Sequence, residues 1–172
     1  MDGREVLIDG IEQLNEWLQD AIKDLSPAQL NWLPEGKTLS CGFHTWHISR
    51  TQDNITNFVF QRKQPIWLEG GYQERFALPK VEQGTGMDLE AARALHIADP
   101  ALLREYAAKV GDAVIDYLRV IPEETLMEIQ AIRPLGEMPK WKVFRQVMMT
   151  HCFMHLGEIN TVKGMMGISF SI

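Results

Sequence analysis

The sequence predicts an all-α protein, a four-helix bundle with a long connection between its second and third long helices. Three observations carry this. Four segments of about 20 residues repeat apolar side chains at three- and four-residue steps. Prolines and capping residues punctuate those segments, and strand signals are scarce. No tandem repeat, low-complexity tract or shift in composition divides the 172 residues, so one domain is expected over 1–172.

The first helix is read over Arg4 to Leu25, with Leu7, Ile11, Leu14, Leu18, Ile22 and Leu25 on one face. Ser26-Pro27 stops it, because proline disfavours helical backbone in the residue before it. The second runs from Ser40, a natural N-cap, to Lys63, with Phe43, His47, Ile48, Thr51, Ile55, Phe58 and Val59 facing inward. Gln64-Pro65 closes it. The stretch from 65 to 85 is rich in Gly, Pro and aromatic residues and has no sustained period. Trp67, Tyr72 and Phe76 argue that it packs, as a covering segment over an end of the bundle. Asp88 caps a short helix from Leu89 to His96, and Asp99-Pro100 opens the third long helix, to Val120. Pro122 ends that helix, and Glu123 to Ile129 is read as one or two further turns. The last helix starts at Pro139 or Lys140 and reaches Met165, with Gly164 and Gly167 as stop signals.

Composition excludes several functions. With 17 Lys plus Arg against 23 Asp plus Glu, a net charge of −6 and no basic tract, the chain lacks the footprint of a nucleic-acid binder. No apolar run reaches the roughly 18 residues of a membrane span. Charges stand where a signal peptide at MDGREVLIDG would need an apolar run, so a cytoplasmic location is expected. Cys41 and Cys152 fall in apolar-periodic segments and read as buried free thiols. A chain of this length forms a core without a structural metal, so a metal here would serve function.

The five histidines are the informative residues. His151 and His155 lie four apart, separated by about 40° around a helix axis, so they project side by side. Phe144, Val147, Met148, Ile159, Val162 and Met166 share their stripe, which turns both imidazoles toward the bundle. A transition metal would satisfy both rings at once. Taken alone, the pair reads equally well as hydrogen-bonded core histidines. It is not the zincin motif, since Cys152 stands where HExxH requires glutamate. Bundle metal sites are assembled from inward side chains on facing helices. His47, central on the second helix, is therefore the natural third ligand. His44 then supports the ligands from behind or sits at the surface, and His96 is exposed. Cys152 points about 100° away from His151 and is not expected to ligate. Trp46 is expected in the core or an interface.

These segments together carry a resemblance. Trp46-His47-Ile48-Ser49-Arg50-Thr51-Gln52-Asp53, then Gln64-Pro65-Ile66-Trp67, then His151-x-x-x-His155-x-Gly157-Glu158-Ile159 resemble the DinB/YfiT-like superfamily over nearly the whole chain. The resemblance implies a four-helix bundle holding a divalent metal, Zn or alternatively Ni, on His47, His151 and His155. Its characterised members imply a metal-dependent enzyme of small molecules, such as a thiol-dependent S-transferase, hydrolase or isomerase using a low-molecular-weight thiol. It also implies a homodimer. The alternative is a non-catalytic metal-binding, regulatory or scaffold bundle.

Two further residues are candidates for catalysis. Glu158 follows His155 by three positions and could orient a ligand, take a metal position or act as general base. A helix-to-helix salt bridge explains it equally well. Arg50 could bind an anionic substrate group or pair with Asp53, for which that structural partnership is the expected role.

Overall fold

The computed structural model describes residues 3–35 and 38–169. Its long first helix, α1 (Gly3–Ile22), buries Leu7, Ile11, Leu14, Leu18 and Ile22 along one face, as their spacing requires. Leu25 lies beyond the helix end and is still buried. Ser26-Pro27 does more than terminate α1. It starts a short turn, α2 (Pro27–Leu30), through a capping box in which Ser26 Oγ accepts from Gln29 N and the Gln29 side chain accepts from Ser26 N.

The second long helix begins as expected, with Ser40 Oγ accepting from Phe43 N at 3.1 Å to open α3 (Cys41–Asp53). Two features depart from the amphipathic reading. All thirteen residues of α3 are buried, so it has no solvent face. Beyond Asp53 the rod continues as a π turn, Asn54–Phe60, and ends there rather than at Lys63. The wider i→i+5 turn advances the register. It carries Phe58 out of the predicted core stripe and leaves it 52% exposed.

The 65–85 stretch contains α4 (Ile66–Glu69) and α5 (Tyr72–Arg75). It lies along the flank of α3 rather than over a bundle end. Its course is fixed by Ile66 N and Trp67 N donating to Asp53, Arg50 donating to the carbonyls of 80–82, and His47 donating to the Gln83 carbonyl. Trp67 fills the space between, stacked on Phe76 and against Trp46 and Tyr106. Asp88 caps α6 (Leu89–Ala94), two residues shorter than its sequence reading, and Asp99 caps α7 (Pro100–Val120), whose bounds match.

After α8 (Glu123–Met127) the chain forms a hairpin that sequence analysis did not anticipate. β1 (Ile129–Ile132) pairs antiparallel with β2 (Gly136–Pro139), Ile132 opposite Gly136. Its strands, IQAI and GEMP, bury one residue each and show no regular alternation. The last rod runs unbroken as α9 (Lys140–Val143), a second π turn over Phe144–Thr150, and α10 (His151–Met165). The four long helices close a ring: α1 packs on α7, α7 on α3, α3 on α10, and α10 on α1. Among the described residues no helix is long and apolar enough to cross a membrane.

Candidate metal centre

The α3–α10 seam brings the chain's central histidines together. His47, buried at 5% exposure, enters from α3 with Phe43 stacked on its ring. From α10 come His151 and His155, both half-buried at the edge of the seam rather than deep in the bundle. The three rings stand nearly perpendicular to one another, at 82° to 89°, with centroids 4.5 to 5.3 Å apart. Each offers a nitrogen, and the three nitrogens lie within 4.8 Å of one another. Nε2 of His151 and Nε2 of His155 are 3.0 Å apart. Two imidazole nitrogens bound to a tetrahedral ion at about 2.0–2.1 Å stand about 3.3 Å from each other.

The outer nitrogens fix which atoms face inward. His47 Nδ1 donates to the Gln83 carbonyl, which leaves its Nε2 lone pair toward the other rings. His155 Nδ1 donates to Glu158 Oε2 at 2.5 Å, leaving its Nε2 likewise. Burial pushes the pKa of His47 down to about 4, opposed by the Gln83 carbonyl and reinforced by the other imidazoles. Burial lowers His151 in the same direction, with His155 adding to it. At neutral pH His47 and His151 are therefore uncharged, and their lone pairs are available to a cation.

His44 takes the supporting position. It is buried, with Nδ1 3.2 Å from Glu158 Oε2 and 3.3 Å from His155 Nδ1. Burial pulls its pKa to about 4 against the pull of Glu158. Glu158, half exposed, thus bridges two histidines through one oxygen. His44, His155 and Glu158 form a second group of suitable geometry, but it uses the opposite nitrogen of His155 and flanks the first.

Arg50 lies outside the histidine cluster. Fully buried, it sits 5.0 Å from the Trp67 ring, bonds the carbonyls of Lys80, Val81 and Glu82, and stands 3.7 Å from Asp53 Oδ2. It holds the flanking segment in place. Asp53 has the structural role expected of it, and Trp46 is in the core. Cys152 is buried with its thiol directed to the Val147 carbonyl, and burial pushes it up to about 12; Cys41 is raised to about 11 in the same way. Neither belongs to the histidine group, and His96 is exposed.

Sequence reasoning missed Gln83 and Gly84. A Cβ on Gly84 would stand 2.6 Å from His47 Nδ1, and its φ of +95° is one that L side chains rarely adopt. The signal was the Gly84-Thr85-Gly86 pair, since both glycines take positive φ.

The family model of the DinB superfamily matches residues 11–159, and the chain belongs to that superfamily. A crystal structure of a conserved protein from Enterococcus faecalis superposes with a TM-score of 0.83 at 22% identity, covering 97% of this chain and 99% of that one. That likeness is one of fold. No curated protein matches the sequence.

Proposed function

We propose that the protein is a metal-dependent enzyme acting on a small molecule, with a divalent ion, Zn in the first instance and Ni as the alternative, on His47, His151 and His155. The observation that carries this is the convergence of three imidazole nitrogens, with the rings of His47 and His155 oriented from outside by the Gln83 carbonyl and Glu158. Three imidazoles suit Zn and several other first-row ions, and they leave a coordination position for a reactant. When bound, such an ion supplies Lewis acidity and lowers the pKa of a thiol or water presented to it.

The chain's own residues do the rest. Gln83 and Glu158 hold the rings of His47 and His155 in register. Glu158, half exposed, is also the group placed to accept a proton from an incoming thiol or water. Superfamily membership supports a low-molecular-weight thiol as cosubstrate, in an S-transfer or a thiol-assisted isomerisation. The test is direct. Protein purified without an affinity tag should carry about one equivalent of metal, as imidazole ligation requires, and H151A should lose it. The metal-loaded protein should then turn over electrophilic acceptors with a small thiol. Metal retained by H151A overturns the site, and turnover that is indifferent to metal overturns the enzyme reading.

A further inference from the structure

A cleft of about 800 Å³ opens at the edge of the histidine cluster, with His151 and Gln83 in its lining. Both π turns line it. Ile55, Phe58 and Val59 come from the first and Gln146, Val147 and Thr150 from the second, while the hairpin closes the opposite wall with residues 130–135. π turns are rare in helices and concentrate where a helix must present side chains that a regular repeat would not. Here two separate rods carry one each, and both face the same space. The first has turned Phe58 outward onto the cleft. Leu135 and Met154 join it at 50% and 67% exposure, so the opening is rimmed with large apolar groups.

Charge supplies the second, independent mark. In a chain of net charge −6, no Asp or Glu among the described residues lines this cleft, and its charged side chains are Arg62 and Arg133. Neither guanidinium is in an ion pair among the described residues. Arg62 sits at φ +58°, a backbone conformation that disfavours a non-glycine residue and persists where the surroundings hold it.

We propose that this cleft is the substrate site and that it selects anionic amphiphiles: molecules with an apolar chain or ring seated between the π turns and the hairpin, and a carboxylate paired with Arg62 and Arg133. Placement of the reacting end at His151 rests on the metal-site reading above; binding of the apolar body and the carboxylate does not. Specificity then has two sources, apolar area for the body and guanidinium recognition for the head.

The experiment titrates the metal-free full chain by calorimetry with octanoate, 1-octanol and octyltrimethylammonium, which share a tail and differ in head group. Octanoate should bind at least tenfold more tightly than octanol, and octyltrimethylammonium more weakly than either. The R62Q/R133Q double variant should bring octanoate down to the level of octanol without changing octanol itself. A131W, which fills the cleft from the hairpin side, should weaken both. If the double variant does not fold, each single variant should reduce the preference about threefold. Equal binding of the three heads, a preference that survives loss of both arginines, or octanoate binding untouched by A131W overturns the proposal. Because metal is absent throughout, arginine-dependent binding in a chain that never takes up metal leaves the cleft standing and removes the enzyme reading. A metal-binding chain with no octanoate preference does the reverse.

Discussion

Helix α3 carries two polar clusters separated by about 9 Å of helix rise, and they are finished to different degrees. At Asp53, four donors fill the carboxylate: Asn57 Nδ2 and Ile66 N on Oδ1, Trp67 N and the Tyr106 hydroxyl on Oδ2, all at 2.8 to 2.9 Å. Around His47, the ring nitrogens of three histidines face one another within 4.8 Å, and buried His44 Nε2 has no hydrogen-bond partner. A polar group whose lone pairs are all used by its own chain is architecture. A convergent set with capacity left over is suited to hold something from outside.

The sharpest way to break that contrast is D53A. It strands a buried guanidinium, a tyrosine hydroxyl and two main-chain N–H groups, and should lower stability by about 3–5 kcal/mol in urea unfolding. A loss under 1 kcal/mol would put the Asp53 cluster on the functional side of the comparison.

Acid should act next, on the metal-free protein. His44 and His47 titrate near 4 when folded, against an ordinary value of 6.5. The unfolded chain therefore binds protons first. Stability should be flat above pH 7, fall as pH drops from about 6.5 toward 4, and be lower by about 3 kcal/mol for each of the two histidines at the bottom of that window. Chemical denaturation at several pH values, with and without metal, reads this out.

Substitution within the unfinished cluster should separate metal from fold. H151A should weaken metal binding by more than about 100-fold while the metal-free protein's unfolding midpoint barely moves. E158Q keeps the fold and the size of the side chain and should cost about 10–100-fold in metal affinity, measured by competition with a chelator. The smallest effect is expected from G84A, at about 1–2 kcal/mol of stability for its positive φ. A new proton environment for His47, visible by NMR, should accompany it as the added methyl displaces the ring from Gln83.

What could be read in advance followed the range of the interactions. Ser40, Asp88 and Asp99 bond to amides two or three positions ahead, so each cap was legible, and the Ser26–Gln29 capping box carried the same kind of signal. The approach of His151 to His155 was legible because helical spacing dictates it. Phe58 was misplaced because nothing in Asn54–Phe60 marks a π turn, and one extra residue per turn is enough to change which face a side chain occupies. His44 reads two ways from sequence because the carboxylate that decides its role, Glu158, lies far along the chain on another helix. Gln83 contributes only its main-chain carbonyl, which no side-chain pattern announces.

The absence of any solvent face on α3 has a kinetic consequence. Amides along 41–53 should exchange with solvent only when the whole chain opens, and their protection would measure global stability. The half-exposed edge of α10 that carries His151 and His155 is covered far less and should open locally at lower free energy. One half of the histidine cluster would then stay fixed while the other breathes, giving a reactant a way in that leaves the core closed.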